Sequence, residues 1–148
     1  PNHGTGVIGK YITERVGEER EKNAYVWGDF LRSGTQLGFS SDFATSPFSP
    51  LVHIADAVFR ESPSGLFDGT WYPDQAVTFE QALFAYTQAG ATLSGWGDEL
   101  GSITVGKWAD FVLLDRTLGN PVGRELKQVN ISATYFAGRL VFSATEKS

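Results

Sequence analysis

The sequence predicts an α/β fold, and three observations carry that expectation. Apolar residues recur at helical spacing in two stretches, 18–32 and 79–96. A short apolar run, Gln36 to Ser40, ends in Ser41 and Asp42 and passes through a Pro-containing loop into another helical pattern, which is the order of a β/α unit. After Gly97, short runs rich in β-branched and aromatic residues, separated by Gly, replace helical periodicity.

Each element has a local reason. Residues 1–17 are Gly-rich and aperiodic and read as a loop. From Glu18 acidic residues open a helix that runs to Arg32, with Ala24, Trp27 and Leu31 on one face and Gly34 placed for a left-handed C′ position. Leu51 to Phe59 carries Leu51, Ile54, Ala55 and Val58 on one face, and Ser62-Pro63-Ser64-Gly65 ends it. Residues 66–75 read as an irregular aromatic loop. Thr78-Phe79-Glu80-Gln81 has the form of a capping box, and Phe79, Ala82, Leu83, Tyr86, Gly90 and Leu93 continue from it at helical spacing.

The second part is a small sheet. Its runs are Ser102–Val105, Ala109–Leu114, Asn130–Ala137 and Arg139–Ser143, with Gly138 permitting a tight reversal between the last two. Gly101 and Gly106 allow a hairpin, and Lys107 is expected to project to solvent. The composition shift divides the chain into residues 1–97 and 98–148.

Composition removes several classes of function. The chain has 148 residues, 41% of them hydrophobic and 14% aromatic, enough for a folded domain with a core. Twelve Lys and Arg against seventeen Asp and Glu leave a formal charge of −5 with no basic run, so nucleic acid is not an expected partner. With no Cys, disulfides, Cys-ligated zinc and thiol nucleophiles are excluded. Apolar runs such as Phe111 to Leu114 fall far short of the roughly 18–20 residues of a membrane span, so no membrane partner is expected either. Pro1-Asn2-His3-Gly4 is no initiation sequence and Met is absent, from which a piece of a longer polypeptide is expected. The compartment stays open, with the cytoplasm favoured.

Asp42 is the residue of greatest chemical interest. In barrels of β/α units, catalytic side chains emerge at the C-terminal ends of strands, where Asp42 stands. The alternative is structural: Asp after Ser commonly caps its own turn.

Four ordered blocks carry a family resemblance: "SSDFATSPFSPLVHIADAVFR", "WYPDQAVTFEQALFAYTQAGATL", "DELGSITVGKWADFVLLDR" and "ATYFAGRLVF". In order and spacing they resemble the C-terminal portion of metal-dependent amidohydrolases of the amidohydrolase 3 (YtcJ-like) branch. The upstream "RVGEEREKNAYVWGDFLRSG" resembles the segment before that family's last barrel strand. The resemblance implies the C-terminal part of a (β/α)8 TIM barrel followed by strands of a small β-sandwich. It implies hydrolysis of C–N bonds, usually in amides, with one or two divalent metals, most often zinc.

In that family the last strand ends in Gly-Ser-Asp, and the Asp takes part at the metal centre and serves as general base and acid. The resemblance carries this catalytic and metal-binding role onto Asp42. It also implies that His3 is a substrate contact at the pocket mouth, against the alternative of an exposed loop His. Two positions depart from the family pattern: Ser40 stands where Gly is usual and Ala44 where Pro is common, which bears on loop geometry. The family's remaining ligands would lie upstream of Pro1, so the chain by itself is expected to be inactive.

His53, on the helix after Asp42, reads as a packed or solvated helix residue. Arg15 and Arg20 read as members of a solvated helix tied by Glu18, Glu19 and Glu21 to neighbouring basic residues. Phe67, Trp71 and Tyr72 either wall a pocket or simply pack a long loop. The expected partners are a small-molecule amide substrate and the remainder of the same enzyme, with a homo-oligomer as a further option. Against this stands a reading of a different class, a non-catalytic binding or interaction domain of amidohydrolase ancestry that lacks the metal site.

Overall fold

The computed structural model describes residues 1, 7–61 and 69–145. Six α-helices occur among them: α1 Val7–Val16, α2 Glu18–Glu21, α3 Trp27–Arg32, α4 Pro50–Phe59, α5 Phe79–Tyr86 and α6 Gln88–Leu93. Three strands follow, β1 Phe111–Leu114, β2 Ile131–Phe136 and β3 Arg139–Ser143, and 3₁₀ turns occupy Pro73–Gln75 and Arg124–Gln128.

Helix α1 replaces part of the loop expected over residues 1–17. It forms although Val7, Ile8, Ile12, Thr13 and Val16 are β-branched and favour helix only weakly, and Gly17, at φ 78°, ends it with its N–H on the Thr13 carbonyl at 2.9 Å. The single helix expected over 18–32 is two helices broken at Tyr25, whose φ is 53°. Glu21 turns inward, accepting from the Trp71 indole at 2.7 Å and from the Thr13 hydroxyl, so it is no member of a solvated charge face. Helix α3 ends as its Gly34 foretells: Thr35 N–H reaches the Phe30 carbonyl at 2.9 Å and Gly34 N–H reaches Leu31 at 3.0 Å, a Schellman closure with Gly34 at φ 80°.

Helix α4 takes Pro50 at its first turn, where a missing N–H costs nothing, and stops at Arg60 in the left-handed region. Arg60 is fully buried, and its guanidinium lies 4.7 Å from the Trp27 ring centre and 4.8 Å from that of Trp71. Its Nε donates to the Trp71 carbonyl at 2.7 Å and one Nη to the Tyr25 carbonyl at 3.2 Å, while Trp71 N–H returns to the Arg60 carbonyl at 2.8 Å. Burial pulls the guanidinium down to about 10. Trp71 is thereby a packing partner of Arg60 and Tyr25, as the structural reading of the aromatic loop has it; Phe67 lies outside the described residues.

The capping box at Thr78 forms as read, with Gln81 N–H on the Thr hydroxyl at 3.2 Å and Thr78 N–H on the Gln81 side chain at 2.9 Å. The helix it opens is interrupted at Thr87, where φ −119° and ψ −88° separate α5 from α6. Trp27, Ile54, Ala55, Ala57, Val77, Ala82 and Leu126 form the core. Leu126 comes from the 3₁₀ turn at Arg124–Gln128, which Glu61 ties to the end of α4 through Arg124 Nε at 2.6 Å and Lys127 Nζ at 3.3 Å.

The sheet is antiparallel in the order β1-β2-β3. Phe111 pairs with Tyr135 across β1 and β2 and their rings stack at 4.6 Å. Ala137 and Gly138, at φ 49° and 75°, make the tight reversal between β2 and β3. Ser102–Val105 is not a strand; no partner pairs it among the described residues, and Ile103 and Val105 stand almost wholly exposed. Lys107 does not project to solvent. Its ammonium folds back onto the Gly97 and Leu100 carbonyls at 2.5 and 3.0 Å, so its charge serves the turn.

Candidate active site

The strand expected over Gln36 to Ser40 does not form, since no partner pairs it among the described residues. Side-chain alternation still works: Leu37 and Phe39 pack on the core, and Phe39 meets Trp27 and Tyr86 edge-on at 5.7 and 5.9 Å. Gly38, between them, lies so close to α6 that a Cβ there would come within 2.9 Å of Leu93 Cδ1. The end of α5 then fixes the backbone just before Asp42. Phe39 N–H donates to the Ala85 carbonyl at 3.0 Å and the Tyr86 hydroxyl to the Ser40 carbonyl at 2.9 Å. Burial, and after it the Asp56 carboxylate, raises the Tyr86 phenol above its usual range and keeps it a donor.

Asp42 lines a cleft of about 320 Å³ with Pro1, Gly38, Phe39, Ser40, Ser41 and Ser46. It is exposed, and its φ of 52° is one that Asp tolerates better than most residues. A backbone bond and one hydroxyl shape the turn that follows. Thr45 N–H reaches the Asp42 carbonyl at 2.9 Å, and the Thr45 hydroxyl lies 2.5 Å from that carbonyl and 2.7 Å from Asp42 Oδ2. The turn closes through the backbone, and the described bond to the Asp42 carboxylate comes from the Thr45 side chain. Thr45 and Tyr86 were not singled out by sequence. For Thr45 a signal existed, a hydroxyl residue three positions after an Asp; for Tyr86 none did, since its partner is 46 residues away.

The other candidates separate from this cleft. His3 lies outside the described residues. His53 is fully buried on α4, with Nε2 at 2.7 Å from the Pro47 carbonyl and its ring against Tyr86. Arg15 and Arg20 are exposed, and Arg20 Nε bonds the Val16 carbonyl of α1 at 2.8 Å.

Metal chemistry asks more than this cleft offers by itself. Among the described residues no group of three or more His, Cys, Asp and Glu is arranged to hold an ion. A catalytic zinc takes about three protein ligands, so the donors described here do not by themselves fit one.

Comparison with known proteins shows the family of the chain. In the solved structures it resembles a metal-dependent hydrolase from Pyrococcus furiosus, at 37% identity and a TM-score of 0.55, over 71% of this chain and 20% of that one. The amidohydrolase family model matches residues 1–142, and the chain belongs to that family. It is 36% identical to an N-substituted formamide deformylase of Arthrobacter pascens over 78% of this chain and 21% of that protein. It is 26% identical to the putative amidohydrolase YtcJ of Bacillus subtilis (strain 168) over 89% of this chain and 25% of that protein. The chain thus spans about a fifth to a quarter of the length of these relatives.

Proposed function

We propose that the chain is the C-terminal portion of a metal-dependent amidohydrolase that cleaves a non-peptide C–N bond in a small-molecule amide. Residues 1–97 are a segment of its (β/α)8 barrel, with Gln36 to Ser40 in the place of the last strand, and residues 98–148 belong to its β-sandwich. Asp42 takes a proton from the attacking water as the new C–O bond forms, and delivers it to the nitrogen as the C–N bond breaks. His3 contacts substrate at the mouth. A divalent ion, zinc in this proposal, is held by the remainder of the same enzyme.

The observation that carries the reading is the position of Asp42. A segment packed on the core through Leu37 and Phe39 delivers it to the rim of an open cleft, and a loop then leads into α4, the order in which barrel enzymes present catalytic side chains. The likeness to a formamide deformylase supports N-substituted formamides as the first substrates to try.

The test is amine release from N-substituted formamides and simple N-acyl amides by the full-length enzyme, before and after chelation, beside Asp42→Asn. Turnover that falls by at least about a hundredfold in the variant, in line with the usual effect of losing a general base, is expected. Turnover unchanged by Asp42→Asn removes the residue from the chemistry. No hydrolysis of any amide by the metal-loaded enzyme returns the chain to the binding-domain reading.

A further inference from the structure

We propose that Ser46 is a substrate-binding residue whose hydroxyl takes an uncharged polar group of the substrate, an inference that rests on the reading of the Asp42 cleft as the place where the amide is cleaved. The loop between Asp42 and α4 inverts the usual sorting of side chains. Phe43 and Phe48 stand 66% and 75% exposed, whereas Ser46 is only 7% exposed. Packing alone would turn a phenyl ring inward, because a ring gains far more than a hydroxyl from leaving water. Ser46 lines the same cleft as Asp42, and among the described residues its hydroxyl has no hydrogen-bond partner. A polar group buried to that degree and left without a partner is the exception in folded chains, and a ligand is one thing that answers it.

The backbone holds Ser46 in place from both sides. Before it, Thr45 N–H donates to the Asp42 carbonyl at 2.9 Å; after it, the Pro47 carbonyl accepts from Nε2 of the buried His53 at 2.7 Å. The hydroxyl is thus positioned without engaging its own donor or acceptor. The other polar side chains of the cleft are the Ser40 and Ser41 hydroxyls and the Asp42 carboxylate, a lining suited to a neutral polar group such as an amide. A hydroxyl can donate to an amide carbonyl or accept from an amide N–H. Such a bond exists before the reaction as well as during it, so its loss shows in KM.

In the full-length enzyme, with an N-substituted formamide as probe, Ser46→Ala and Ser46→Cys are each expected to raise KM about tenfold, with the larger share of the loss in KM rather than kcat. Cys nearly keeps the side-chain volume and replaces the hydroxyl with a weak donor, so agreement of the two variants separates the bond from the space. Denaturation without substrate gives a readout that a structural hydroxyl would move: the midpoint of Ser46→Ala is expected to be no lower than that of wild type, because a hydroxyl without a protein partner adds no stability. Wild-type KM in both variants, with Asp42→Asn inactive, overturns the inference and leaves the Asp42 reading standing. A raised KM in Ser46→Ala alone, together with a lowered midpoint, marks a structural hydroxyl and overturns it too. Full turnover in Asp42→Asn overturns the reading of the cleft and the inference with it.

Discussion

Asp115 shows how much one exposed carboxylate can organise. It closes β1, and there it accepts from Asn130 N–H at 3.1 Å, from Asn130 Nδ2 at 3.0 Å and from Arg116 Nε at 3.1 Å, while its own N–H reaches the Asn130 carbonyl at 2.9 Å. Arg116, and after it Asn130, hold the carboxyl down to about 2, below its ordinary value of 3.8. A depressed carboxylate binds fewer protons in the folded state, so its stabilising effect is complete above about pH 4 and fades as pH falls towards 2. Amide exchange in β1 and β2 of wild type and Asp115→Asn is therefore expected to differ at pH 5 and to converge as the pH approaches 2. A difference that persists unchanged at pH 2 would assign the effect to shape rather than charge. Residues of this kind divide sharply in legibility. Asp42 stands out in the sequence because its neighbours in the chain form a pattern, whereas Arg60, Glu21 and Tyr86 take their contacts from partners between 11 and 50 residues away, which no local window contains.

At the scale of elements, what could be read was what local chemistry decides. The capping box at Thr78, the Schellman closure at Gly34 and the reversal at Gly138 each follow from one or two residue types, and each formed. The breaks at Tyr25 and Thr87 did not show in the periodicity. The Tyr25 carbonyl, for one, is held by Arg60 from across the core, a demand that apolar spacing does not register. The expected strand at Ser102–Val105 failed for a related reason, since β-propensity builds a strand only where a neighbour pairs it. Helix α5 allows a test of the local part. Thr78→Ala removes the hydroxyl that satisfies Gln81 N–H and is expected to cost about 1 kcal/mol, read as a lowered denaturation midpoint of the full-length enzyme. Because Ala85 and Tyr86 grip the Asp42 segment from the far end of that helix, kcat should stay within about twofold of wild type. A large loss of turnover in Thr78→Ala would mean that the cap and the cleft are coupled through the whole of α5.

Across the whole molecule, the distribution of apolar surface bears on what this chain needs around it. A half-buried sheet normally keeps one face dry and one face polar. Here the β2–β3 register skips a residue, pairing Phe142 with Thr134 and Leu140 with Tyr135, so the two lie on opposite faces, 50% and 47% exposed. Both faces of the sheet are thus apolar and uncovered. A groove of about 1000 Å³ between α4 to α6 and β1 adds Leu83, Trp96 and Phe111 to that surface, and segment 35–40 offers backbone groups with no strand beside them among the described residues. Each of these needs a cover, and contiguous apolar area on this scale drives association when none is supplied. Residues 1–148 produced alone are accordingly expected to sediment as polydisperse oligomers and to enhance the fluorescence of a hydrophobic dye, while the full-length enzyme does neither. On the reading proposed above, co-expression with the remainder of a longer amidohydrolase should return the chain to a defined complex, because these faces are then covered in their own geometry. If residues 1–148 instead sediment as a monomer with one cooperative unfolding transition, the apolar faces are tolerated as they stand, and the chain is a self-sufficient domain rather than a barrel segment joined to part of a sandwich.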